Sequence, residues 1–245
     1  IVSRHPAIDL VVHNAGVTQI DLFEATTIAS QRLVMEINHF GSVRMAAGLL
    51  NAVRAAKGSH LAVSSVAGFS PLYKRTAYAA SKHAMNGFFL SLAAEEARHG
   101  VSVTVAAPSF VATNPGRYDF GAEGIGRPGA ATDGFDEMRP EQAAAIILDG
   151  WRKGRRFVPV GRVARLAWLI NRFSPNLYDR IMRRKHLVVI STDAVRTAMR
   201  KAIIGESRVS IEELEFSGDA KFRRPGEPIA TCRWPTPISK ASRRR

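Results

Sequence analysis

Short apolar runs alternate with stretches of helical periodicity over the first two thirds of this chain. Ile8-Asp9-Leu10-Val11-Val12 is apolar and β-branched and gives way to His13-Asn14-Ala15-Gly16, which predicts a buried parallel strand followed by a tight turn. From Thr26 to about Ala56, Ile28, Leu33, Met35, Ile37, Phe40, Val43, Ala46, Leu49 and Val53 recur at helical spacing. Gly41 and Gly48 interrupt this stretch, so the pattern allows one long helix or two abutting ones. A second strand is predicted over His60–Ser64. A second helix follows over Tyr78–His99, with Gly100 in the stop position. Val101–Ala107 reads as a third strand ended by Pro108, Pro140–Lys153 as a helix and Arg156–Val160 as a last short strand. Residues 114–139 hold six glycines and read as a loop, long enough to suggest a lid over a site.

Strands alternating with helices of this length predict an α/β fold, a doubly wound parallel sheet with helices on both faces and right-handed crossovers. Ligands of such sheets bind beyond the carboxyl ends of the strands. Asn14-Ala15-Gly16, Ser65 and Pro108-Ser109 all follow strand ends, so they are expected to converge on one edge, beside the start of the Tyr78 helix.

The apolar fraction, 46%, is that of a folded globular chain. A single cysteine, Cys232, excludes internal disulfides and multi-cysteine metal sites, and the seven histidines show no metal-ligand spacing. No apolar run reaches the ~18 to 20 residues of a membrane span. These features fit a reducing, cytoplasmic setting. The net charge of +14 is unevenly spread: residues 1–150 are at −1, 151–185 at +10 and 186–245 at +5.

The chemistry-bearing stretch is Ser64 to Met85. Tyr78 and Lys82 are four apart on a predicted helix and so lie on one face. A phenol near pKa ~10 is a poor acid or base at neutral pH, and a fixed cation beside it favours the phenolate. Ser65, at the end of the Leu61–Val63 run, supplies a hydroxyl that could hold a substrate oxygen.

Five motifs in order resemble the short-chain dehydrogenase/reductase family, over about residues 8–160. They are Asn14-Ala15-Gly16; Asn38 in Glu-Ile-Asn-His-Phe-Gly; Ser65 in Val-Ser-Ser-Val-Ala-Gly; Tyr78-x-x-x-Lys82; and Pro108-Ser-Phe-Val-Ala-Thr113, with Ser109 where the family has glycine. The resemblance implies a Rossmann-like fold and an NAD(P)-dependent exchange of hydride between nicotinamide and an alcohol or ketone. It implies that Tyr78 is the acid/base, that Ser65 holds the oxygen, that Lys82 tunes the tyrosine and binds the ribose, and that Asn38 positions a water. Asn14, Ala15 and Gly16 would approach the adenosine side of the cofactor, while Pro108, Ser109, Val111 and Thr113 would line the nicotinamide with Tyr78 and Lys82. NADP is favoured over NAD, and a homo-oligomer is implied. His13 is assigned no chemistry.

The family's Gly-rich Thr-Gly-x-x-x-Gly-x-Gly loop does not occur in this chain. The expectation is therefore a catalytic part over 1–160, truncated at its N-terminus and missing three strands. The alternative is an inactive fragment that serves, if at all, as a non-catalytic interaction module. Phe110, Tyr118 and Phe120 suggest an apolar substrate.

Residues 161–185 form a basic amphipathic stretch, with Val163, Leu166, Leu169, Ile170 and Phe173 at helical spacing among Arg162, Arg165 and Arg172, and with Pro175 as a break. Two readings stand: a helix packed over the substrate loop, or peripheral contact with an anionic membrane. Residues 186–245 read as a poorly structured basic tail. Nucleic-acid binding is not expected, because no aromatic-basic interleaving accompanies the arginines.

Overall fold

The computed structural model describes residues 1–113, 121–127 and 138–182. In chain order the elements are β1 (Leu10–His13), β2 (Thr18–Gln19), α1 (Ile28–Met35), α2 (Gly41–Ala56), β3 (Ser59–Val63), α3 (Thr76–Glu96), β4 (Ser102–Pro108), β5 (Ile125–Gly126), α4 (Pro140–Arg152), β6 (Phe157–Val160) and α5 (Arg162–Phe173). β1, β3, β4 and β6 form one parallel sheet in that order, and β2 pairs with β5 in a small antiparallel ribbon.

The register assigns the sheet's two faces. Val12 lies opposite Leu61 and Leu61 opposite Thr104, while His13, Ala62 and Val105 line up one residue on. Side chains alternate along a strand, so these rows point to opposite sides. Ala62, Val103 and Val105 meet Met85 and Phe89 of α3, and Val11 meets Val53 of α2. On the other face Leu61, Ala106, Val158 and Val160 pack against Ala143, Ile146, Ile147 and Trp151 around α4. Gly150 permits this approach, since a Cβ there would lie 2.5 Å from Cγ2 of Val158. The sheet is therefore covered by helices on both sides, as the alternating pattern predicts.

On this face β1 is only partly covered: Leu10 packs against the α4 cluster. Val12 is 50% exposed, while Leu61 and Thr104 beside it on the same face are buried. β1 is an edge strand among the described residues.

The helical stretch before β3 is continuous, and neither Gly41 nor Gly48 breaks it. Instead Glu36–Phe40 widens into a π-turn between α1 and α2, with Asn38 fully buried inside it. Thr27 caps α1, its hydroxyl accepting from Ser30 N–H at 3.2 Å. Lys57 ends α2 and Gly100 ends the α3 segment, both at positive φ; at Gly100 (φ 72°) the absence of a Cβ makes that conformation unstrained. Pro108, expected to stop the third strand, is its last residue. Of the loop 114–139, residues 121–127 and 138–139 are described and the former supply β5; Tyr118 and Phe120 lie outside the described residues, as do 183–245. No described helix is long and apolar enough to cross a membrane.

Phe89 anchors the larger core cluster and is fully buried. Phe89→Ala should destabilise the protein by about 3–5 kcal/mol, because both the transfer free energy and the cavity count against it. The shift of a chemical-denaturation midpoint at unchanged slope measures this.

Candidate active site

The parallel register brings the ends of β1, β3 and β4 to one edge of the sheet. Asn14, Ala15 and Gly16 leave β1 there, Ser64 and Ser65 leave β3, and Ser109 leaves β4. α3 begins beside them, and Tyr78 is its third residue. One stripe of α3 carries Tyr78, Lys82, Met85 and Phe89, all buried, at steps of three and four. Its first turns hold the chemistry and its later turns hold the core.

Ser65 has an extended backbone (φ −165°, ψ 166°) and caps a short 3₁₀ turn, its hydroxyl accepting from Ala67 N–H at 3.1 Å. The same hydroxyl lies close enough to the Tyr78 phenol to favour its ionised form. The Lys82 ammonium donates to the Val63 carbonyl at 3.0 Å and lies 5.8 Å from the Tyr78 ring centroid. Ser65, Tyr78 and Lys82 thus meet at one place.

Asn38 closes the site from behind. Its side-chain oxygen accepts from Val17 N–H at 2.8 Å, and its amide donates to Val17 O at 2.9 Å and to Ser81 Oγ at 2.9 Å. Ser81 in turn donates to the Tyr78 carbonyl at 2.8 Å. The π-turn also leaves the Asn38 carbonyl to accept from the Ser42 hydroxyl at 3.1 Å. π-turns of this kind recur at functional sites. Gly16 sits directly against this group: a Cβ there would lie 3.0 Å from Asn38 Oδ1 and 3.7 Å from Lys82 Nζ. A side chain at position 16 would therefore crowd Asn38, and glycine keeps the backbone bare there.

Burial sets the electrostatics. It raises the Tyr78 pKa, and the Ser65 hydroxyl and the charge of Arg75 act in the opposite direction. Burial lowers Lys82 to about 8. Arg75 precedes α3 and donates to Thr18 Oγ1 at 3.0 Å, which ties the β2 ribbon to the start of α3.

A model of the short chain dehydrogenase family matches residues 1–120. Dehydrogenase/reductase SDR family member 7B from Xenopus laevis is 31% identical over 177 residues, covering 71% of this chain and 55% of that protein. The Bos taurus protein of the same name is 34% identical, covering 71% and 54%. An Anopheles gambiae SDR family protein 7-like is 32% identical, covering 76% and 59%. The chain belongs to the short-chain dehydrogenase/reductase family. It spans a little over half the length of these curated relatives. The fold of this short-chain dehydrogenase/reductase also matches a Burkholderia cenocepacia short chain dehydrogenase solved with NADP, at TM-score 0.64 and 22% identity over 74% of this chain and 71% of that one. A Streptomyces avermitilis short-chain dehydrogenase matches at TM-score 0.55 and 23% identity, covering 84% and 74%.

Within this family member the remaining candidate residues lie at and after the carboxyl ends of β1 and β4. Asn14 and Ala15 are exposed at the strand end, and Gly16, Pro108, Ser109 and Val111 are half-buried around it. Ser109 N–H donates to Val160 O at 3.2 Å, which fixes the β4 exit to β6. Val111 bridges to Met138, and Thr113, at the end of that segment, is exposed.

Two features escaped the sequence reading. Arg75 stands three residues before Tyr78, a helical neighbour spacing that could have drawn notice. His13, given no role, is buried, and its Nε2 shares a 3.0 Å hydrogen bond with His60 Nδ1 while its ring packs 4.6 Å from that of Phe89. The pair joins β1 to β3 beneath the Asn14 turn.

Desolvation, and then the neighbouring His60, lower the His13 pKa from 6.5 to about 4. Desolvation lowers His60 as well, with Glu96 opposing it. The folded state therefore resists protonation that the unfolded chain accepts. Their contribution is complete above pH ~6.5 and is lost as pH falls toward 4, by up to ~3 kcal/mol for His13. The melting temperature should begin to drop between pH 6.5 and 5, ahead of the carboxylates. A His13→Gln/His60→Gln variant should flatten that stretch of the profile, and an unchanged slope would remove the pair as its cause.

Proposed function

We propose that this protein is an NAD(P)-dependent oxidoreductase that interconverts an alcohol and a ketone, with Tyr78 as the proton donor and acceptor. The observation that carries the reading is the convergence of the Ser65 hydroxyl and the buried Tyr78 phenol, with the Lys82 ammonium one helical turn further on. The relatives' shared description, dehydrogenase/reductase, supports the same class.

Each residue has a task that follows from its surroundings. A substrate carbonyl oxygen would enter between Ser65 and Tyr78 and accept from both hydroxyls. Ser65 is aimed by its bond from Ala67 N–H, so little reorganisation is needed when charge develops on that oxygen. Tyr78 would pass its proton to the oxygen on reduction and take it back on oxidation. The phenolate left behind faces the positive charge of Arg75, which offsets part of the cost of forming it in a buried place, and the Lys82 ammonium lies 5.8 Å from its ring centroid. Asn38 holds Val17 through both of its backbone groups and so fixes the Asn14-Ala15-Gly16 turn; its carbonyl, at the π-turn, is the group that would position a water of the proton relay.

The residues fit a nicotinamide cofactor. The bare backbone at Gly16 would take its adenosine side, with Asn14 and Ala15. Lys82, Pro108, Ser109, Val111 and Thr113 would hold the nicotinamide half. When bound, the cofactor supplies or receives the hydride. NADP is the first nucleotide to test, NAD the second. The substrate is proposed to be apolar, with Phe110 half-buried at the β4 exit. Exposed Leu33, Phe40 and Met45, on α1, the π-turn and α2, support a homo-oligomer.

Tyr78→Phe should lower turnover by about 10²–10⁴-fold while leaving NADPH binding and the melting temperature close to the parent. Fluorescence titration with NADPH and NADH, alongside turnover of a panel of apolar alcohols and ketones, tests this. Failure of the parent chain to bind either nucleotide would favour the non-catalytic alternative. Full activity in the phenylalanine variant would remove Tyr78 from the chemistry.

A further inference from the structure

α5 is oriented against the usual rule for a surface helix. The side that meets the body of the protein carries Ala164, fully buried, together with Ala167, Trp168 and Asn171. Trp168 stacks on Phe157 with ring centroids 6.3 Å apart, and the Asn171 amide donates to the Phe69 carbonyl. These contacts fix the helix rotation. The side turned outward carries the large apolar residues: Leu166 at 59% exposure, Leu169 at 45% and Phe173 at 79%. Steps of three and four place them in one row. Arg162, Arg165 and Arg172 are exposed on the same half of the helix, and among the described residues none of them forms an ion pair. Two more exposed apolar residues, Leu177 and Ile181, follow one turn apart in the helical run 175–182, with Arg180 beside them.

We infer that the outward face of α5 docks on the surface of an anionic lipid bilayer. Three large apolar side chains bordered by arginines are what an interfacial helix presents: the apolar row enters the boundary between headgroups and acyl chains, and guanidinium groups reach the lipid phosphates. Charge decides against a second copy of the chain as the occupant. α5 has no carboxylate, so self-pairing through this face would bring arginine against arginine. The surrounding segment 151–185, at +10, extends the same attraction, whereas residues 1–150 are close to neutral. The inference is independent of the catalytic reading, because none of these residues belongs to the Tyr78 site.

Co-sedimentation of the 245-residue chain with phosphatidylcholine vesicles, with and without phosphatidylserine, tests the proposal. The parent should bind vesicles containing phosphatidylserine and lose that binding as salt is raised. Leu166→Gln/Leu169→Gln/Phe173→Gln should lower the partition coefficient roughly a hundredfold. Arg162→Gln/Arg165→Gln/Arg172→Gln should lower it roughly a hundredfold on the anionic vesicles and little on the neutral ones. All six positions are exposed or at the surface, and an unchanged circular dichroism melt confirms that each variant is folded. Absence of binding by the parent overturns the proposal. So does full binding by the apolar variant, which would assign the affinity to residues 183–245. Loss of self-association in the apolar variant by light scattering, with vesicle binding intact, would replace the bilayer with a second copy.

Discussion

The site depends on one buried amide. Asn38 has no exposure, and each of its polar atoms must find a partner or incur the cost of an unmet hydrogen bond in a dry interior. It finds them on the backbone of Val17 and on Ser81, so a single side chain joins the turn after β1, the helical run between α1 and α2, and α3. The π-turn is the backbone's accommodation of that demand. Moving Asn38 by one helical position would strand its amide and release the turn at Gly16. The arrangement of Ser65, Tyr78 and Lys82 is then fixed by shorter links: a 3₁₀ turn capped by Ser65 itself, and the rigid four-residue step along α3.

In α3, core packing and the candidate site share one sequence stripe. Met85 and Phe89 are held between α3 and the sheet, and the residues at the same angular position two turns earlier are Tyr78 and Lys82. The hydrophobic contact that orients the helix therefore also aims its polar end. The low dielectric that results raises Tyr78 and lowers Lys82, so each resists taking its charged form.

Much of this was readable from residue order alone, and for definite reasons. Parallel strands buried on both faces are short, continuous apolar runs, so β3 and β4 stand out. The interval from Ser65 to Tyr78 spans one 3₁₀ turn, a short link and the start of α3, so the motif is legible as a spacing. The π-turn left no mark, because Glu-Ile-Asn-His-Phe has the same apolar rhythm whether four or five residues close the ring. The glycines at 41 and 48, taken as interruptions, sit in an unbroken helix stabilised by its packing. The two-residue strands β2 and β5 are too short for any alternation to register. The His13–His60 pair is a contact across 47 residues, visible only once the β1–β3 register is known.

The uncovered rim at β1 has a practical side. Its outer row of peptide groups is a ready template for another extended chain, and Val12, bare at its centre, is adhesive in water. Protein made from this chain would be expected to stick to itself along that rim at the concentrations used for crystallisation. A lysine in place of Val12 is the natural remedy: it would leave the buried face of the strand untouched and make edge-to-edge stacking repulsive.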